Sequence, residues 1–267
     1  MPLAKQTQRV IRVITTTNNY QQMKSLTTSA FLVLALAGHW TNLSAQKKKI
    51  LVDVGHSQKF YSDPADMISS ELVPTERLKY MTDELTKNGA AHHAVIGYLK
   101  TSITPDALSQ CDLLFIHTPS MKYSADECTA IRQYVEKGGA LFVVIEQDYW
   151  ATLEQVNAND IVTPFGITFK SNSPDASSGG HSVPGKVTKK KYSIPFHGAR
   201  IVEGGTPFAY SNASDANPFG VYVATKGGGK VIAMGEGMVS LYMTSWQGVT
   251  NYQCSGFMDE VVGWLLD

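Results

Sequence analysis

The chain has only three cysteines in 267 residues, Cys111, Cys128 and Cys254. An odd and sparse set excludes a disulfide framework. Charge is scarce as well, at 17% of residues, and the formal net charge is zero. That balance hides an uneven spread. Residues 1–45 carry Lys5, Arg9, Arg12 and Lys24 and no acid, which leaves 19 basic and 23 acidic residues for the rest. A mildly acidic body argues against nucleic acid as a partner, because phosphate binding requires a basic face. No apolar run reaches the roughly 20 residues that cross a bilayer. There is no internal repeat, no linker that clearly divides domains, and no His-Glu-x-x-His spacing. At 43% hydrophobic residues the chain is globular rather than disordered.

The acid-free start has a grammar of its own. From Met23 the sequence reads MKSLTTSAFLVLALAGHWTNLSAQ. Lys24 gives a short basic region, Ala30–Gly38 an apolar core, and Leu43-Ser44-Ala45 a cleavage site before Gln46. This order is that of a secretory signal peptide. It predicts translation from Met23, residues 1–22 outside any domain, a leader over 23–45, and a single exported domain over 46–267, periplasmic or extracellular. An organelle transit peptide is the alternative for the basic, threonine-rich start.

The expected domain alternates strands with helices. Ile50–Val54, Ala94–Leu99, Asp112–His117 and Ala140–Ile145 read as strands, the last apolar throughout, as strands covered on both faces should be. Between them, Pro74–Lys87 and Pro105–Gln110 read as helices, the first ended by Asn88-Gly89. Ser124 and Glu127 form a capping box before a third helix with Cys128, Ile131 and Val135 inward. Trp150–Asn157 is expected to be helical. Val183–Tyr210 reads as strand and turn, Phe219–Thr225 and Lys230–Met234 as a hairpin, and Tyr252–Leu266 as a closing amphipathic helix. The pattern predicts an α/β fold, a doubly wound and mostly parallel flavodoxin-like sheet with helices on both faces, plus a β-rich C-terminal insertion.

The segments CDLLFIHTPSMKYSADECTAIRQYVEKGGALFVVIEQ, IVTPFGITF and GGGKVIAMGEGMVS, ending in FMDEVVGWLL, resemble the class I glutamine amidotransferase-like superfamily. Within it, the similarity is to secreted branches without amidotransferase activity, which also resemble GIFT-type domains. Catalytic members carry a nucleophilic cysteine on the elbow after a central strand. Here Glu146, Gln147 and Asp148 follow ALFVVI, and no histidine stands beside Glu236. The resemblance therefore implies a scaffold that has lost the thiol mechanism.

In a parallel sheet the strand ends share one edge, where loops build sites. His56, His117, Glu146, Gln147 and Glu236 all fall there, with Trp150 close by. Two histidines with carboxylates can share a proton or hold a metal, but no close spacing fixes such a site, so neither metal nor cofactor is expected. Each group also has a plain structural reading: His117 bonding a carbonyl, Glu236 bonding the backbone of its own turn, Trp150 packed in the core. His56 is expected to face Glu146 and Glu236 across a shallow pocket. Three functions fit: a non-catalytic domain binding a glycan or other small polar ligand, a hydrolase built on His56 with Glu146 or Glu236, and an adaptor for a protein partner that the sequence does not name.

Overall fold

The computed structural model describes residues 47–67, 73–241, 245–246 and 249–267. The leader expected over 23–45 lies outside them. From Lys47 onward the chain forms one compact unit. Its elements follow in order. β1 (Lys48–Asp53) leads to α1 (Thr75–Ala91), β2 (Ala94–Leu99), α2 (Pro105–Leu108) and β3 (Leu113–His117). Next come α3 (Ala125–Glu136), β4 (Ala140–Val144), α4 (Leu153–Val156) and α5 (Ala158–Val162). A β-rich stretch carries β5 (Thr168–Asn172), β6 (Gly180–Ser182), β7 (Ser193–Ile194), β8 (Arg200–Glu203), β9 (Thr206–Ser211) and β10 (Pro218–Ala224). β11 (Lys230–Met234), the short pair β12 (Ser245–Trp246) and β13 (Val249–Thr250), and α6 (Cys254–Leu266) close the unit.

Nine strands make the main sheet, in the order β2-β1-β3-β4-β11-β10-β9-β6-β7. The first five are parallel, and from β11 outward the pairing is antiparallel. The layout is thus a mixed α/β sheet. The β-rich stretch does not form a separate appendage, because β10, β9, β6 and β7 extend the same sheet. That corrects the simple doubly wound picture. Local alternation identified the strands, but the side on which β10 joins β11 is a long-range choice.

Four of the five parallel strands, β1, β3, β4 and β11, are largely buried on both faces, so their side chains feed two apolar cores, while the edge strand β2 is mostly half-exposed. Ile50, Val52, Phe115, Phe142 and Met234 pack with α1 and α6; Leu51, Leu114, Ile116, Val143 and Ala233 pack with α3 and α5. Helix limits shift in two places. α1 runs past Asn88-Gly89 to Ala91 because Gly89 is pressed against the sheet, where a Cβ would sit 3.1 Å from the Ile96 side chain. The helix expected at Trp150 starts only at Leu153, where Thr152 and Gln155 form a capping box, and breaks at Asn157 in the left-handed region. The capping box of α3 is present as expected, with both Ser124 and Glu127 engaged.

Gly235 joins the sheet to the β8 strand. Its carbonyl accepts from Arg200 N at 2.9 Å, and a Cβ there would lie 1.9 Å from the Arg200 carbonyl oxygen. Gly235→Ala is expected to destabilise the fold by about 1–3 kcal/mol or more, the cost of forced overpacking. Urea unfolding should show a lower midpoint at an unchanged slope; an unshifted midpoint would contradict this contact.

Candidate functional site

The edge where β1, β3, β4 and β11 end holds two separate polar clusters. The first forms at the end of β1. Asp53 is fully buried. After it the chain turns sharply at Gly55, whose Cβ position lies 2.9 Å from the Thr101 carbonyl oxygen. The turn folds His56 back onto Asp53, with Nδ1 at 3.1 and 3.0 Å from its two carboxylate oxygens. The other ring nitrogen, Nε2, faces Glu127 Oε1 at 3.3 Å. The imidazole stacks on Tyr123 with centroids 3.9 Å apart, and the Tyr123 hydroxyl donates to Asp53 Oδ2 at 2.7 Å.

With a carboxylate opposite each nitrogen, His56 is held as the imidazolium. Burial alone would lower its pKa, but the hydrogen bonds and charges of Asp53 and Glu127 outweigh burial and raise it. Burial likewise works to raise the Glu127 pKa, and is outweighed by N–H donors from Ser124 at 2.8 Å and Ile103 at 2.9 Å, so its net shift is downward. His56 therefore does not face Glu146 and Glu236, as the sequence had suggested. Its partners come from its own strand and from the first turn of α3.

The second cluster joins β3, β4 and β11. His117 is fully buried, and burial lowers its pKa to about 3, so its ring is neutral. Its Nε2 lies 3.3 Å from the Gly237 carbonyl and hydrogen-bonds the Ser240 hydroxyl. Glu146 accepts from Gly237 N at 2.5 Å and from Gln147 N at 3.1 Å. Glu236 accepts from Met238 N at 2.8 Å and from His197 N at 2.6 Å. Burial raises both pKa values, that of Glu146 further because of the Glu236 charge beside it. Gln147 donates to the His197 carbonyl at 3.4 Å. Gly198, at φ 111°, leaves it room, since a Cβ would stand 2.7 Å from Gln147 Oε1.

The crevice between β1 and β3, where strand order reverses and α/β sheets ordinarily bind ligands, is filled by the chain itself. Gln58 donates to the Phe115 carbonyl at 3.4 Å and accepts from His117 N at 3.0 Å. Phe60 and Tyr61 are buried, edge-on to His117 at 5.4 and 5.2 Å. Trp150 packs against Phe60 at 4.8 Å and is half-buried, while Tyr149 beside it is exposed. A cavity of about 580 Å³ lies at the opposite, amino edge, lined in part by Cys111, Asp112, Tyr134, Lys137 and Lys230.

Sequence reasoning missed Arg200, Tyr123 and the second role of Glu127. Arg200 is fully buried and donates to the carbonyls of Glu146, Lys170 and Ala151 and to Asp148 at 2.8 Å. A lone arginine in a β-rich stretch carries no pattern. Glu127 did stand out, though only as a cap. Among the described residues no group of three or more His, Cys, Asp or Glu side chains could hold a metal. No thiol stands at the elbow after β4: Cys111 lies before β3, its pKa pushed up to about 11 by burial, and none of the three cysteines is in a disulfide.

The family model for the IFT52 GIFT domain matches residues 69–178, less than half of the chain. No curated protein matches. Among solved structures, the mmIFT52 N-terminal domain has a TM-score of 0.62 at 16% identity, over 82% of this chain and 97% of that one. Cytoplasmic Protein STM3548 from Salmonella typhimurium reaches 0.50 at 13% identity, over 80% and 98%. A beta-galactosidase from Bacillus circulans sp. alkalophilus also reaches 0.50, at 10% identity, over 82% of this chain but 30% of that enzyme. At such identities the structural likeness is one of fold. The chain is similar to a GIFT-type domain, whereas the wider amidotransferase-like resemblance finds no counterpart here. The expectation of an exported protein is corrected by the same findings: the family model that matches and the structural likeness are to the IFT52 GIFT domain, not to an exported protein. Among the described residues no helix is long and apolar enough to cross a membrane.

His56 supplies a test. Its raised pKa means that its contribution is fully present below the unfolded value of 6.5 and is lost as pH rises through the folded value. His56→Ala, which strands two buried carboxylates, is expected to cost about 3–5 kcal/mol near pH 6. The gap between wild type and variant should narrow toward pH 9. Urea midpoints across that range check both; a constant gap would rule out a charged His56.

Proposed function

We propose that this chain is a non-catalytic protein-interaction domain of the GIFT type. The observation that carries the reading is the filled crevice. Gln58, Phe60 and Tyr61 occupy the place where a sheet of this kind would admit a small ligand, and His56 is consumed by an internal ion pair. A catalytic base must reach a substrate proton, and all four candidates are buried: His56 against Asp53, Glu127 and Tyr123, and His117, Glu146 and Glu236 against the backbone around Gly237. The elbow after β4 offers Glu146 and Gln147 and no nucleophile. Similarity to the IFT52 GIFT domain points the same way, toward a partner that is itself a protein. A glycan ligand has less to support it: the beta-galactosidase likeness covers a minor part of that enzyme and extends to fold alone.

The test uses the full chain, tagged and cross-linked in its native cells. Cross-links from residues 47–267 to one stoichiometric partner protein are expected. Thermal shift of the purified chain against a glycan panel should give no rise in midpoint, since a specific ligand would raise it by mass action. A saturable rise with any glycan, or a hydrolytic activity abolished by Glu146→Gln, would overturn the interaction reading.

A further inference from the structure

We infer that Glu146 and Glu236 form a proton-dependent latch that fastens the Met238–Leu241 turn and the 195–199 loop to the carboxyl edge of the sheet. The argument begins with charge. Both carboxyl groups are buried, at 2% and 0% exposure, and they accept from the consecutive N–H groups of Gly237 and Met238. Among the described residues no uncommitted cation faces them. The Arg200 guanidinium is committed to three carbonyls and to Asp148. His117, from β3, is neutral, and so is His197, whose pKa burial lowers to about 4. Tyr252, before α6, and Tyr61, beside Ser240, keep their protons, because burial raises both pKa values. Two adjacent carboxylates in such surroundings cannot both ionise, so one proton stays on the pair.

That proton holds three segments together. Glu146 fastens Gly237 N–H; Glu236 fastens Met238 N–H and, across the edge, His197 N–H. Ser240 completes the turn by donating to the Gly237 carbonyl at 2.8 Å, and Val239 is anchored in the core. When the turn and loop lift away, both carboxyl groups meet water and return to the ordinary range near pH 4 to 5. Above that range the open form has lost a proton that the closed form keeps. At lower pH His197 opposes this, because its ring is kept neutral by burial and regains a proton below its ordinary value of 6.5 when the loop lifts. The opening equilibrium therefore rises about tenfold per pH unit above about pH 7, until the closed pair loses its own proton. Acid closes the latch and alkali loosens it, the reverse of a salt-bridged carboxylate.

Hydrogen exchange of the full chain, corrected for the intrinsic pH dependence of exchange, tests this between about pH 7 and 8, above the titration of an exposed His197. In the wild type the opening constant of peptides covering 195–199 and 235–241 is expected to rise about tenfold per pH unit, while α3 stays constant. Glu146→Gln cannot ionise, and its single oxygen leaves one of the Gln147 and Gly237 N–H groups facing an amide nitrogen; those peptides should be more open than in the wild type and insensitive to pH over that range. Infrared spectroscopy of the wild type gives a readout that needs no variant: a protonated carboxyl band should persist at pH 7. The same slope in wild type and Glu146→Gln, or the absence of that band, would overturn the latch.

Discussion

Backbone N–H groups freed where strands end must find acceptors, and in this protein buried acid and amide side chains supply them. An unpaired buried donor costs about as much as a lost hydrogen bond. Glu146 and Glu236 take the donors of Gln147, Gly237, Met238 and His197. Glu127 takes those of Ser124 and Ile103, and Gln58 takes that of His117. Carboxylates accept such bonds strongly, but each brings a charge into a dry place. Much of the remaining arrangement at this edge answers that charge.

Two answers are visible. At the end of β1, the negative charges of Asp53 and Glu127 are met by an imidazolium clamped between them and stacked on Tyr123. At the ends of β4 and β11, no uncommitted cation faces Glu146 and Glu236 among the described residues, and the proton inferred on that pair takes its place. Arg200 does not neutralise the pair. It serves the neighbouring carbonyls, tying β8 and the start of α4 to the sheet. The polar residues at this edge thus spend their capacity internally. This makes them poor candidates for chemistry.

Much of this was legible in the sequence. The five parallel strands were signalled by short apolar runs such as ILVDV and ALFVVI, and α3 by its S-A-D-E capping box. The gathering of His56, His117, Glu146 and Glu236 at one edge followed from parallel topology alone. Their pairing did not. Whether His56 turns toward Glu127 or Glu236 depends on the turn at Gly55, which is set by the nearby Thr101 carbonyl from another segment. Gln58, Phe60 and Tyr61 gave no sign that they would fill the crevice, because a loop's hydrophobic residues announce burial without saying where.

Element type and the parallel core were written in the sequence, since these depend on local periodicity and residue chemistry. Tertiary structure decided which carboxylate met which donor, how β10 and β9 continued the sheet, and that Arg200 would be buried. Those outcomes rest on contacts between residues far apart in the chain, such as Arg200 with Glu146 and Glu236 with His197. No short window of sequence encodes them.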